Sequence, residues 1–332
     1  MTLPGRPLQA HLPANHDLRL CFAHAVYDLK PVFDGLGTGI AAQQVRSREA
    51  LLAELPETDV LVVSGLWTND LLSHAPKLKY VQSVSSGTNQ YDRDALRAHG
   101  VMLASGQGVN VNAVSEHAFG LMLSLTRRLA EARDNQHSRL WRPSIGDATR
   151  REDELAGKTL LVVGLGGIGQ RIARIGRAFD MHVLGIRRDP ANGAGAAESV
   201  HSFAHLTALL PQADVVVLCC PLTDETRHLM NARTLDLLKP TALLVNVARG
   251  GCVDEAALID ALAAGRFAGA GIDVTEREPL PESSPLWTLP NVVLTPHTAG
   301  ETRLYERNVV AILARNLQKL RQGDTDLVNR IV

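Results

Sequence analysis

The chain has 332 residues, with 34 lysines and arginines against 35 aspartates and glutamates. That length suits about two domains with buried cores. The even charge, with no basic stripe interleaved by aromatics, argues against nucleic acid or an anionic membrane as partner. No apolar run approaches the ~18 residues needed to span a bilayer, and the opening stretch MTLPGRPLQAHLPANHD lacks the apolar core of a signal peptide. The four cysteines show no metal-ligand spacing, and Cys219 and Cys220 adjoin inside an apolar run. Free thiols in a cytoplasmic protein, with no metal, are the expectation.

Short apolar runs alternate with helical patterns, which predicts βα units around parallel sheets. In the first third, strands fall at Leu18–Ala23, Val60–Val63, Tyr80–Val84 and Val101–Ala104. Helices lie between them, for example Arg48–Leu55 and Asp92–His99. One long helix is expected over about Asn112–Gln136, where Val114, His117, Leu121 and Leu125 recur at helical spacing. Six buried-type strands come next: Thr159–Val163, His182–Ile186, Val215–Cys219, Ala242–Val247, Gly269–Val274 and Val292–Leu294. With helices between them they make a doubly wound sheet. Asp254 can cap a helix that carries Leu258, Ala261 and Leu262 on one stripe and ends at Gly265. A last helix, about Arg303–Gln322, is expected to pack back on the first domain. Residues 1–111 with 301–332 would then form one discontinuous domain, and 112–300 the dinucleotide-binding one.

Within that second domain, TLLVVGLGGIG runs from a strand into Gly164, Gly166, Gly167, Ile168 and Gly169, with a helix after it. In such a turn the first glycine allows the sharp bend, the second lets a pyrophosphate approach, and the third lets helix and strand pack closely. The helix N-terminus then offers free N–H groups to phosphate. A cofactor lacking a 2′-phosphate is usually held by an acid ~20 residues on, but here Arg187 and Arg188 stand at the end of the next strand. Guanidinium groups suit a 2′-phosphate, so NADP(H) is expected to be preferred over NAD(H). Asp189 serving the ribose is the alternative.

Three further patterns end strands on the same sheet: Arg249-Gly250-Gly251, Asp273-Val274 leading to Glu278-Pro279, and Thr295-Pro296-His297-Thr298-Ala299-Gly300. Doubly wound sheets bind ligands at the carboxyl ends of their strands. Singly, each residue has a plain explanation as a surface ion-pair or turn residue. Together, an arginine for a carboxylate or carbonyl and a histidine tuned by a carboxylate make a set for acid/base chemistry near neutral pH.

These motifs, GLGGIGQRIA, PLTDET, NVARGGCVDEAALIDAL, GIDVTEREPLPESSPLW and NVVLTPHTAG, occur in this order over about Leu78 to Gly323. In them the chain resembles the D-isomer-specific 2-hydroxyacid dehydrogenases, a family that includes glyoxylate/hydroxypyruvate reductases. The resemblance implies two Rossmann-like doubly wound domains, the first flavodoxin-like and substrate-binding, with the active site in the cleft between them. It implies Arg249, Glu278 and His297 as the catalytic residues. Arg249 would bind the substrate carboxylate and polarise the C2 carbonyl. His297 would move the proton at the C2 oxygen, and Glu278 would pair with His297 and favour its charged form. Ser86 and Gly87 would cradle the substrate carboxylate. Asp273, the run Val247, Ala248 and Arg249, the loop Cys220-Pro221, and His297 with Ala299 would contact the cofactor. A homodimer is also implied.

Two departures bear on specificity. Arg187-Arg188 departs from the NAD-type pattern, and ASGQGVN at Ala104–Asn110 departs from an Asn-Thr-Pro-like run. Trp67 is either a wall of the substrate pocket or a packing residue, while Trp141 and Trp287 sit in stretches that look structural. The chain's end at Val332 leaves no room for a regulatory domain of the phosphoglycerate dehydrogenase kind, and Glu278 stands where formate dehydrogenases have Gln. A corepressor-like scaffold that senses nicotinamide stays open beside the enzyme.

Overall fold

A computed structural model describes residues 12–332; the first eleven residues of the stretch read for a signal peptide lie outside them. The chain divides into two compact units, one running through Asn110 and taking in Thr302–Val332, the other Val111–Glu301.

The first unit holds five parallel strands, β1 (Arg19–Ala23), β2 (Ala41–Val45), β3 (Val60–Val63), β4 (Tyr80–Ser83) and β5 (Met102–Ala104). Their order is β2-β1-β3-β4-β5, the flavodoxin-like winding. Side chains alternate between faces along a strand, and here both faces are covered. Leu20, Phe22, Val60, Val62 and Tyr80 bury on one side, Cys21, Leu61, Val63 and Val81 on the other. Covering both faces accounts for the unbroken apolar runs.

The helix Tyr305–Arg321 closes the first of those faces with Val309, Leu313, Leu317 and Leu320. Its fully buried Asn316 donates to the Tyr80 hydroxyl at 2.8 Å and accepts from the Val328 amide at 2.7 Å. The last helix therefore belongs to the first unit. β2 was not expected from the sequence. It is an edge strand pairing only with β1, and its AAQQV has too little apolar side chain to stand out.

The second unit is a seven-stranded parallel sheet, β6 (Thr159–Val163), β7 (His182–Ile186), β8 (Ser199–His201), β9 (Val215–Leu218), β10 (Leu243–Asn246), β11 (Gly269–Ile272) and β12 (Val292–Leu294). The order β12-β11-β10-β9-β6-β7-β8 reverses direction between β6 and β9. Such a switch point is where doubly wound sheets open a crevice for ligand. The six expected strands are present. β8 is the seventh, a three-residue polar edge with no periodic signal.

Two features correct the sequence reading. The long helix expected over Asn112–Gln136 is two helices, Val111–Thr126 and Leu129–His137, broken where Arg128 turns left-handed at φ 51°. The apolar stripe stops at Leu125, and the second helix buries no residue, so nothing extends the first helix's packing. Trp141, read as structural, is 96% exposed, whereas Trp287 is tied by its indole N–H to the Pro281 carbonyl. Trp67 resolves to packing: it is buried, its ring lies 5.1 Å from that of Tyr91, and its N–H donates to Asn69.

Candidate active site

The glycine turn comes after β6 at the switch point. Gly164 has φ +108°, and a Cβ there would lie 2.7 Å from the Cys220 backbone at the end of β9. A Cβ on Gly169 would meet the Gly164 carbonyl oxygen at 2.1 Å, which is the close helix–strand packing the motif calls for. Gly166 caps the helix Gly167–Ala178 with open space where its side chain would be. The N–H groups of Gly167, Ile168 and Gly169 are the first of that helix and have no carbonyl partner within it. Room and donors thus coincide, as a pyrophosphate requires. The chain's own residues fit a dinucleotide.

At the end of β7, the Arg187 guanidinium donates to the carbonyls of Asn192 and Gly193 at 3.2 and 3.1 Å, and Arg188 is exposed. The Asp189 carboxylate is engaged within its own loop, accepting from the Ala191 amide and the Asn192 side chain.

Arg249, Glu278 and His297 come after β10, β11 and β12, three neighbouring strands. The first two loops touch: a Cβ on Gly250 would fall 1.9 Å from the Thr275 carbonyl oxygen, so only glycine lets them meet. The Glu278 side chain accepts from the Thr275 amide through Oε1, and Oε2 lies 2.7 Å from His297 Nδ1. With Nδ1 bonded to a carboxylate, the proton of a neutral ring sits on Nδ1 and Nε2 faces outward. Nε2 has no hydrogen-bond partner among the described residues. The Arg249 guanidinium is exposed and spends one N–H on the Ala248 carbonyl at 2.6 Å, leaving its other nitrogens open to an anion.

Asp273 is buried and organises the loop that carries His297. Its Oδ1 accepts from the Thr295 hydroxyl and from the amides of Thr298 and Ala299. Val247, Ala248, Cys220 and Ala299 are buried, whereas Pro221 is exposed. Ser86 and Gly87 come after β4 in the first unit, where a Cβ on Gly106 would lie 2.4 Å from the Val84 carbonyl. That close approach gives a reason for the departure at ASGQGVN.

Sequence reasoning missed Asn246. Its side chain accepts from the Ala248 amide and donates to the Arg249 carbonyl, shaping the arginine turn. The signal was present: a buried amide ending the apolar run LLVN needs partners nearby. It also missed Thr295, the hydroxyl next to Pro296.

A phosphate-binding turn at the switch point, a histidine–carboxylate pair and an exposed guanidinium two strands away at the same sheet edge are what hydride transfer to a carbonyl needs. The class is a nicotinamide-dependent oxidoreductase. Residues 119–299 match the family described as D-isomer specific 2-hydroxyacid dehydrogenase, NAD binding domain. The chain is 37% identical to the glyoxylate reductase of Aeropyrum pernix over 299 residues, covering 86% of this chain and 87% of that one. It is 36% identical to the D-3-phosphoglycerate dehydrogenase of Methanocaldococcus jannaschii, covering 84% of this chain but 52% of that protein. Its structure is similar to the NADPH-dependent glyoxylate/hydroxypyruvate reductase of Sinorhizobium meliloti in complex with NADP and malonate. There the TM-score is 0.76 at 28% identity, over 95% of this chain and 97% of that one. The chain belongs to the D-isomer specific 2-hydroxyacid dehydrogenase family, and it is a dehydrogenase or reductase of small 2-keto and 2-hydroxy acids.

Proposed function

We propose that this protein reduces a small 2-keto acid of the glyoxylate/hydroxypyruvate kind to its D-2-hydroxy acid, with NADPH preferred over NADH. The observation that carries the reading is the 2.7 Å contact of His297 Nδ1 with Glu278, which leaves Nε2 free to exchange a proton. The nicotinamide, when bound, supplies the hydride that goes to C2. Arg249 holds the substrate carboxylate and draws electron density from the C2 carbonyl. His297 delivers its Nε2 proton to the C2 oxygen as negative charge develops there. Glu278 fixes the ring and compensates its charge. Asp273 meets the nicotinamide carboxamide, and main-chain groups of Cys220, Pro221, Val247, Ala248 and Ala299 line the cofactor's path. Ser86 and Gly87 are assigned to the substrate carboxylate on the family resemblance alone.

NADPH preference is supported by Arg187 and Arg188 at the end of β7. It is supported also by Asp189, whose carboxylate is already bonded within its own loop and is less available to a ribose. The relative from Sinorhizobium meliloti is named as NADPH-dependent. A homodimer is supported by the helix Leu129–His137, which buries nothing, together with exposed Leu129, Leu140 and Trp141. An apolar set of this kind suits a second copy of the chain. The four cysteines are free thiols, in keeping with a cytoplasmic setting.

The likeness to phosphoglycerate dehydrogenases makes 3-phosphohydroxypyruvate the second substrate to test. Glyoxylate, hydroxypyruvate, longer 2-keto acids and 3-phosphohydroxypyruvate should be assayed with both NADPH and NADH. We expect oxidation of NADPH with glyoxylate or hydroxypyruvate. Best turnover with the phosphorylated acid would move the reading to the second substrate. No oxidation of either cofactor with any acid would leave the corepressor-like scaffold.

A further inference from the structure

His117 lies on the helix Val111–Thr126, on the face that also carries Val114 and Leu121, where the pattern alone suggests a packing residue. Its side chain is three-quarters buried, and its Nε2 lies 2.9 Å from the Thr295 hydroxyl oxygen and 3.5 Å from Asp273 Oδ1. The Thr295 hydroxyl has one proton, and it donates that proton to Asp273 Oδ1 at 2.6 Å. The same oxygen must then accept from His117, which requires the proton of the ring to be on Nε2. Three residues from three elements thus form one directed chain: His117 to Thr295 to Asp273.

The two carboxylate oxygens of Asp273 are used unequally. Oδ1 takes the Thr295 hydroxyl and the amides of Thr298 and Ala299, whereas Oδ2 takes, among the described residues, only the Ala299 amide, at 3.1 Å. Saturating one oxygen fixes the rotation of the carboxylate and leaves acceptor capacity on the other. The Asp273 carbonyl meanwhile accepts from the His297 amide at 2.8 Å, so rotation at this residue is felt by the loop bearing the imidazole. The helix also packs closely on β11, because Leu121, one turn along the helix, sits where a Cβ on Gly271 would reach it at 2.8 Å.

We propose that His117 is a positioning residue for hydride transfer: through Thr295 it locks Asp273, so that Oδ2 meets the nicotinamide end of the cofactor and His297 keeps its place. This rests on the proposed function in taking Asp273 as the nicotinamide contact. A ring removed to a residue that donates no proton frees the Thr295 hydroxyl to turn, and Asp273 loses its fixed orientation. Glutamine, which can place an amide N–H near the position of Nε2, should restore the chain.

The test uses the full-length protein and the variants His117→Leu, His117→Gln, Thr295→Val and His117→Leu/Thr295→Val. For His117→Leu we expect kcat to fall about tenfold, the upper end of the net worth of one neutral hydrogen bond, with the substrate KM within about twofold. His117→Gln should recover most of that loss. The double variant should be no worse than Thr295→Val alone, because both break one chain. Independently of turnover, NADPH and NADH binding should be titrated against the matching fragments without nicotinamide, 2′-phospho-ADP-ribose and ADP-ribose. His117→Leu should weaken the intact cofactors several-fold and leave the fragments unchanged.

Equal losses in the leucine and glutamine variants, additive losses in the double variant, or equal weakening of cofactors and fragments would each reduce His117 to a packing residue and overturn the inference. A wild-type protein that reduces no 2-keto acid, yet shows the expected binding differences, would instead count against the proposed function alone.

Discussion

The main-chain N–H of His297 donates to the carbonyl of Asp273 at 2.8 Å, while the Asp273 carboxylate gathers the amides of Thr298 and Ala299 beyond it. His297 is therefore held from both sides by one buried acid, at a left-handed φ of 55° that a loop without such bonds would not keep. Replacing Asp273 by alanine strips the partner from several donors at once. We expect a loss of about 2–4 kcal/mol in stability, given the cost of buried unsatisfied groups, together with loss of turnover. Denaturant unfolding monitored alongside activity checks this, and unchanged stability would mean the loop is held by something else.

His297→Gln removes the proton exchanged at Nε2 and leaves a side chain of similar reach. A positioned general acid contributes about 10²–10⁴-fold, so kcat should fall by that order while the KM for the keto acid moves little. Glu278→Gln should fall between this variant and the wild type, because the ring stays in place while the charge beside Nδ1 is lost. Steady-state kinetics rank the three proteins. A His297→Gln variant with near-normal turnover would remove the assignment.

Much of this site could be read from the chain, and the reason is its regular scaffold. Strands buried on both faces, such as LLVN and GAGI, are continuous apolar runs, and the loop after each run lies at the carboxyl edge of the parallel sheet. The placement of Arg249, Glu278 and His297 at strand ends was legible for that reason, while their roles are what the family resemblance implies. β2 and β8 were not legible, because a short edge strand with little apolar side chain, AAQQV or SVH, carries neither a clear alternation nor an apolar run. The break at Arg128 was hidden too, since nothing in RRLAEARD forbids a helix; only the end of the packing surface at Leu125 stops it. His117, Thr295 and Asn246 are missed for a further reason. Their part lies in which atom donates to which, and spacing along the chain does not encode that.

Arg187 and Arg188 stand at the end of β7, but only Arg187 is braced, by two carbonyls of its own loop. If they read a 2′-phosphate, replacing both by alanine should cost NADPH efficiency about 10–100-fold, on the scale of charge-assisted hydrogen bonds, and leave NADH efficiency nearly unchanged. The ratio of kcat/KM for the two cofactors is the readout. An equal fall with both would assign the arginines to folding, and a wild type that already favours NADH would sink the preference itself.

Gly250 allows the Arg249 loop to lie against Thr275, with no room for a Cβ at 1.9 Å from a carbonyl oxygen. Because the obstacle is backbone, it cannot rotate away as a side chain would. Gly250→Ala should therefore separate the loops of Arg249 and Glu278, at a cost of about 1–3 kcal/mol for overpacking and with a larger loss in turnover than in stability. Gly265→Ala makes the control: its φ of +63° also disfavours alanine, but nothing lies within 4 Å of the added carbon, and it precedes β11, at the opposite edge of the sheet from the loops of Arg249 and Glu278. It should lose stability alone. Similar turnover in the two variants would show that the loop contact at Gly250 does not matter to catalysis.

The second sheet has an acid-sensitive tie at Asp214. Its carboxylate accepts from the Thr159 amide at 2.8 Å and pairs with Lys239 at 2.7 Å, joining the starts of β6 and β9. Partial burial pushes its pKa up, but the Lys239 ammonium and the Thr159 amide outweigh that and hold it below the ordinary carboxylate value of 3.8. A depressed pKa in the folded state means the ionised form is favoured by folding. The resulting stability is fully present above the unfolded value of 3.8 and is lost as pH falls through the lower folded value. Asp214→Asn should thus be less stable than the wild type at neutral pH, and the difference should shrink steadily below about pH 4, near the reference carboxylate pKa. Denaturation midpoints measured across that range decide the matter, since a gap that stayed constant into acid would mean Asp214 acts by shape and not by charge.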